Sequence, residues 1–256
     1  MQKLVIKKLN RKVASAADIP AAIQAAGIQY TSVENVNWPE SYPYKPKMEF
    51  AAVHDGDSLL LHYRVEEQSV RAVARQDHEH IWEDSCAEFF IMPADDGFYY
   101  NLECNCTGKL LVAVGKDRTE RQPAPMEVMQ GVDRWASLGS EPFDVRQEPT
   151  KWELALRVPI TTFFKHQFVS FNGLKAKGNV YKCGDNLPVP HFISWNPIKT
   201  ENPDFHRPEF FGEIIFEGTF SLSQMTRASS LELWQGVKKS NEIQSEATCP
   251  CDHEVS

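Results

Sequence analysis

Tyr99, Asn101, Glu103 and Asn105 place a phenol, two amides and a carboxylate at alternate positions of one segment. In an extended chain all four project from one face, while Tyr100, Leu102, Cys104 and Cys106 project from the other. Such a row offers paired donors and acceptors, the equipment for hydrogen-bonding neighbouring hydroxyl groups. A second carboxylate, Glu88, stands between Cys86 and Phe90 in an otherwise apolar run. A buried carboxylate is costly unless it is paired or hydrogen-bonded, so Glu88 should have a partner. Lys182, Arg134 and Arg207 are the cationic candidates.

Flat rings would complement that polar row against the apolar face of a ligand. Trp195 precedes Asn196-Pro197 at the end of a strand-like run, where a side chain can leave the core and border a loop-built cleft. It is the leading ring candidate. Trp82, beside Asp84, is the candidate for a facing wall. Trp152 alternates with Leu154 and Leu156 and belongs in the core, and Trp38 reads as packing. Trp135 is left unassigned. His191 and His206, near Pro190 and Pro208, read as packing or capping rather than as ligands. The acidic turns Asp55-Gly56-Asp57 and Asp95-Asp96-Gly97 have the oxygen-rich composition that suits calcium. Near the end, Cys249-Pro250-Cys251 with His253 lacks the second pair a closed zinc site needs. Cys86, Cys104, Cys106 and Cys183 read as buried thiols.

The elements that must position these groups are mostly strands. Leu59, Leu61, Tyr63 and Val65 alternate with Leu60, His62, Arg64 and Glu66, and similar runs recur at 49–53, 69–75, 86–92, 98–106, 109–114, 152–158, 179–183, 191–195 and 210–216. Turn residues such as His54-Asp55-Gly56-Asp57 and Gly184-Asp185-Asn186 separate them. Many short strands so punctuated predict an all-β, antiparallel sandwich. One short helix is marked by Asp18, Pro20 and Gly27, and a second turn of helix follows Pro159. Neither is long enough to alternate with strands, so a parallel sheet is not expected.

With 256 residues, 42% hydrophobic and 11% aromatic, the chain can fill a large core and still spare rings for a surface. A formal net charge of −8 argues against nucleic acid and anionic membrane partners. No apolar run reaches membrane-helix length. Residues 1–12 carry no leader pattern, so the chain as written is expected in the cytoplasm, and outside it if a leader has been removed. Residues 1–218 read as one sandwich. The stretch 219–256, rich in Ser, Glu and Gln, reads as a partly disordered tail.

Four segments in order resemble one family. They are Trp82-Glu83-Asp84-Ser85-Cys86-Ala87-Glu88-Phe89-Phe90-Ile91, Tyr99 to Asn105, Lys151-Trp152-Glu153-Leu154 leading to Val158-Pro159, and a closing set. The closing set comprises Asn179-Val180-Tyr181-Lys182-Cys183, Ser194-Trp195-Asn196-Pro197 and Phe205 to Gly212. Together they are similar to the family 9 carbohydrate-binding modules and their DOMON-like relatives. The resemblance implies a jelly-roll-like sandwich that holds a saccharide between rings without cleaving it. It further implies structural calcium and association with glycoside hydrolases in carbohydrate catabolism. The expected ligand-binding residues are Trp195, Trp82, Asp84, Glu88, Asn101, Glu103, Asn179, Lys182 and Arg134. Two other readings stay open: a glycosidase using a carboxylate pair among Asp84, Glu88 and Glu103, and a haem module ligated by Met92 and His191.

Overall fold

The computed structural model describes residues 1–219, so the expected tail lies, from residue 220 on, outside the described residues. Alternation along the strands sorts the side chains into two packed layers. In one layer the strands Leu110–Gly115, Tyr99–Asn105, Cys86–Met92, Lys175–Cys183 and Gly212–Phe216 lie side by side in that order. In the other the order is Lys47–His54, Ser58–Glu67, Thr150–Pro159 and Asp133–Ala136. Within each layer these neighbours are antiparallel.

The strand Lys3–Lys8, which alternation had not marked, joins the layers. Lys3 to Ile6 pair parallel with Glu213 to Phe216, and Lys7 and Lys8 pair parallel with Val53 and His54. Its mixture of lysines with Leu4 and Ile6 follows from that position, since only Ile6 is fully buried. The antiparallel sandwich expected from the sequence is thus found, with parallel pairing confined to this one strand, which carries the sheet round from layer to layer.

Phe89, Ile91, Tyr100, Leu102, Val112 and Val180 meet Leu59, Leu61, Tyr63, Trp152, Leu154 and Leu156 between the layers. The opposite face of the second layer is partly closed by the helix Ile19–Ala25, whose Ile19, Ala22 and Ile23 cover Leu60 and Ala155. Leu60 and His62 are therefore buried although they fall on the mainly polar side of the strand. Pro20 sits in the first turn of that helix and Gly27 follows it with φ 64°, but the Asp18 side chain accepts no capping hydrogen bond; Ser15 caps the turn before it, accepting from Ala17 N. The turn after Pro159 is a 3-10 turn, Ile160–Thr162, and the second α-helix is instead Met126–Gly131. No helix among the described residues is long and apolar enough to cross a membrane.

Two candidate site residues are sealed in this interior. Trp195 is 2% exposed. Its peptide nitrogen donates to Val180 O at 2.8 Å, and the preceding pairings set Ile193 beside Lys182, so residues 193 and 195 share the inward parity. The ring stands edge-on to Phe50 at 6.5 Å and presses on Gly212, where a Cβ would come within 2.6 Å of its Cζ3. Lys182 also points inward, against the expectation that it would meet Glu88. Its Nζ lies 3.0 Å from Glu67 Oε2 on the opposite layer and donates to His191 Nε2 at 2.8 Å and Cys183 O at 2.7 Å. Trp152 Nε1 donates to the other Glu67 oxygen at 2.6 Å.

Trp195→Ala is expected to lower unfolding free energy by about 3–5 kcal/mol, the cost of deleting a buried large aromatic ring, measured by chemical denaturation. Glu67→Gln should cost a similar amount, roughly 3–5 kcal/mol, by stranding the Lys182 ammonium. The pair Glu67→Gln/Lys182→Met should recover much of that loss.

Candidate functional site

The outward face of the first layer, not the ends of its strands, carries the chemistry. Glu88 and Phe90, Asn101 and Glu103, Leu111 and Ala113, and Cys183 form the floor of a cavity of about 520 Å³. Trp82, from the 3-10 turn Ile81–Glu83, stands at its rim with His78. The hairpin after Gly115 contributes Arg118 and Arg121, and the segment 203–206 contributes Phe205 and His206. Asp185 completes the end beside Trp82, whose carbonyl accepts the Asp185 peptide N–H at 3.2 Å.

A chain of hydrogen bonds orders the polar row. Asp117 caps its own hairpin by accepting from the Thr119 and Glu120 peptides, and Asp117 O accepts from Arg121 at 2.7 Å. The guanidinium so held lies over the Tyr99 ring at 4.3 Å. Its Nε and a terminal nitrogen both donate to Asn101 Oδ1, at 3.0 and 2.7 Å. With its oxygen claimed, the Asn101 amide turns its nitrogen to Glu103 Oε1 at 2.8 Å. Glu103 Oε2 is buried and has no hydrogen-bond partner among the described residues, and the same holds for His78 Nε2. Both residues line the cavity. His78 also holds a left-handed φ of 65°, a conformation that costs a non-glycine residue about 1–3 kcal/mol.

Glu88 lies directly opposite Glu103 in the strand register. Its Oε1 accepts the Cys183 thiol at 2.9 Å, and no described cation reaches it. Burial first, and then the neighbouring Glu103 charge, drive the Glu88 carboxyl well above its usual range. Burial lifts Glu103 to about 7, although the Asn101 and Arg121 contacts pull the other way. Asp185 is lifted to about 6 by burial and by Glu83. His206 is pushed down to about 3, by burial and then by Arg121 and Arg118, and its ring is neutral. Three acidic groups thus share a half-enclosed space with two arginines at its edge.

Of the residues picked out in the sequence, the cavity gathers Trp82, Glu88, Asn101 and Glu103. Five others are elsewhere for physical reasons. Besides the inward-facing Trp195 and Lys182, Asp84 is fully buried and accepts from Val73 N, Ala74 N, Asn105 Nδ2 and Arg71, binding a loop rather than a ligand. Asn179 bridges both backbone groups of Asn196, donating to its oxygen at 2.9 Å and accepting from its nitrogen at 2.8 Å. Arg134 pairs with Asp77 at 2.7 Å and donates to Met129 O in a separate hollow of about 840 Å³ shared with Trp135. That hollow is larger, but none of its lining side chains is a buried polar group left without a partner. Arg207 pairs with Glu209 at its surface.

Arg121, Asp185, His78 and Phe205 were missed. Their text reads as turn or loop, and only the hairpin fold brings Arg121 back over Asn101.

The acidic turns do not fit calcium. Asp55 spends its oxygens on the Val13, Asp57 and Ser58 peptides and on Lys12, while Asp96 accepts from Phe98 N and His166, and Asp95 pairs with Lys177. The haem geometry also fails. Met92 pairs in register with Lys177 whereas His191 sits on Lys182, five positions along the strand, or about 17 Å at the usual rise.

A sheet floor with buried acceptors, walled by loops and a half-buried indole, thus lies on an outer face of the β-sandwich. Residues 17–216 match the model of carbohydrate-binding family 9, and the chain belongs to that family. It is similar to a candidate carbohydrate-binding protein from Bacteroides uniformis ATCC 8492, with 45% identity and a TM-score of 0.82 over 84% of this chain and 99% of that one. The fold is shared with a family 9 module from Caldicellulosiruptor kristjanssonii solved with glucose, at 10% identity and a TM-score of 0.52 over 86% of this chain and 98% of that one. No curated protein matches the chain.

Because the folded state raises Glu103 above its free value, it contributes stability that is complete below about pH 4.5 and lost as pH rises through about 7. Glu88 and Asp185 act with the same sign. Unfolding free energy of the ligand-free protein should therefore fall between about pH 5 and 8. Glu103→Gln should remove a part of that slope worth on the order of 3 kcal/mol, read from denaturation midpoints across pH.

Proposed function

We propose that the cavity over Glu88, Asn101 and Glu103 holds a saccharide without cleaving it. The observation that carries this reading is Glu103 Oε2, a buried acceptor without a hydrogen-bond partner among the described residues, on a side chain that is held through Asn101 and Arg121 and lines the cavity. A sugar hydroxyl is a donor of the right size for it, and the rim arginines are donors for further hydroxyl oxygens. Trp82 offers an apolar surface for the C–H face of the ring, with His80 stacked on it at 4.8 Å and 26° to hold the indole. Membership of a carbohydrate-binding family supports the same reading.

The placement of the carboxyls favours binding over hydrolysis. Glycosidic cleavage uses two carboxyls that flank the bond from different sides. Here Glu88 and Glu103 are cross-strand neighbours projecting from the same face of one sheet. Burial, more than their proximity, raises both carboxyls. A supporting role in carbohydrate catabolism, by retaining a sugar for other proteins to process, follows from this proposal.

Calorimetry against a panel of glucose, cello-, xylo-, manno- and malto-oligosaccharides should find at least one ligand. Trp82→Ala should weaken it at least tenfold, equivalent to about 1.4 kcal/mol, and Glu103→Ala should do the same. Trp195→Ala, where folded, should leave affinity within a few fold. No binding across the panel, or indifference to both cavity variants, would overturn the reading.

A further inference from the structure

We infer that Cys86, Glu88 and Cys183 form a binding site for a soft divalent cation of the zinc class at the floor of the cavity. Cys86 and Cys183 face each other in register on adjacent strands, and Glu88, two residues beyond Cys86, projects from the same face. One sulfur from each cysteine and one Glu88 oxygen all lie within 4.8 Å of one another. In a tetrahedral zinc site, with metal–sulfur bonds of about 2.3 Å and metal–oxygen bonds of about 2.0–2.2 Å, such atoms stand roughly 3.5–3.8 Å apart. The three ligands need only sub-ångström to ångström-scale adjustments to reach that spacing. The Cys183–Glu88 hydrogen bond of 2.9 Å is a thiol proton standing where the cation would stand.

Several features separate this cluster from ordinary buried thiols. Cys104 and Cys106 lie on the opposite face, within the apolar core, and belong to no cluster of potential metal ligands among the described residues. Cys183 and Glu88 line the cavity, so an ion has a route in from solvent. Asp185 stands at that end of the cavity. No described cation neutralises Glu88, because Lys182 projects into the other side of the sheet and is engaged by Glu67. A ligand set of two thiolates and one carboxylate prefers zinc or cadmium to calcium or magnesium. All three ligands sit on paired strands, so the site is ordered before the ion arrives.

Both thiols are buried, and a cation bound as proposed would displace their protons. Glu103 stands opposite Glu88 on the neighbouring strand and Asp185 lies two residues beyond Cys183, so further acidic groups border the cluster. This inference stands apart from the saccharide reading, since it needs no sugar to be present.

Cobalt(II) titrated into the full-length chain tests it, read by thiolate-to-cobalt charge transfer and the visible bands of a tetrahedral ion. One equivalent is expected, displaced by zinc and not by excess calcium. The signal should survive Cys249→Ser/Cys251→Ser, which removes the thiols near the C-terminus, and Cys104→Ala. It should vanish in Cys183→Ser and in Cys86→Ser. Glu88→Gln keeps both thiols, and it should weaken cobalt by more than the roughly 10- to 100-fold that loss of an outer-shell partner costs. Absence of charge transfer, its loss only in the Cys249/Cys251 variant, displacement by calcium, or unchanged affinity in Glu88→Gln would each overturn the inference. Because the titration is done without sugar, its failure leaves the calorimetry above unaffected, and the reverse also holds.

Discussion

An ammonium and a carboxylate meet at 3.0 Å between the layers with no surface exposed on either side chain, and much else follows from that contact. Lys182 and Glu67 come from different layers, so the pair ties the sandwich across its core as well as along its strands. Burying two charges repays little in net stability, but leaving one of them alone is severely unfavourable. The sequence must therefore keep both, together with Trp152 and His191, which supply the remaining hydrogen bonds. The same contact removes the one cation near Glu88 that a strand neighbour offered. Successive residues of a strand face opposite ways, so when Lys182 turns inward, Cys183 turns outward.

That division sets the character of the cavity floor. On its outer side the sheet carries Glu88, Glu103 and Cys183 with no buried ammonium among them. Charge there is suppressed by burial rather than matched, which is why the acidic groups sit high in their titration. The compensating donors come from outside the sheet. Arg121 arrives on a hairpin that Asp117 closes, and it acts through Asn101 to hold one oxygen of Glu103 while the other is buried without a partner among the described residues. A floor that is buried and short of donors is the common basis of the two proposals, hydroxyl groups at Glu103 and a cation at the thiols beside Glu88.

The readable parts of this arrangement were those governed by strand parity. Tyr99, Asn101, Glu103 and Asn105 share one face as alternation requires, and Trp152 lies in the core with Leu154 and Leu156. The same rule, carried one step further, would have placed Trp195 inside: it shares parity with Ile193, and Gly212 supplies the room for its ring. The preference for a ring near a loop overrode that signal. Asp84 and Asn179 misled for a different reason. A buried carboxylate or amide that satisfies backbone groups has the same composition as one that satisfies a ligand, and the difference lies wholly in what it faces.

By itself the sequence determined most of the strands, the inward and outward faces of those with clear alternation, the class of fold and a polar row suited to hydroxyl groups. It could do so because period-2 burial is a local property, written in residues two apart. The tertiary structure alone decided which cation meets which carboxylate, which indole borders solvent, and that Arg121 and Asp185 belong to the same cavity as Glu88. Those outcomes depend on register between strands far apart in the chain and on how hairpins fold back over a sheet. One residue of register, or one turn of a loop, moves a side chain from the core to a cavity without changing the local pattern that encodes it.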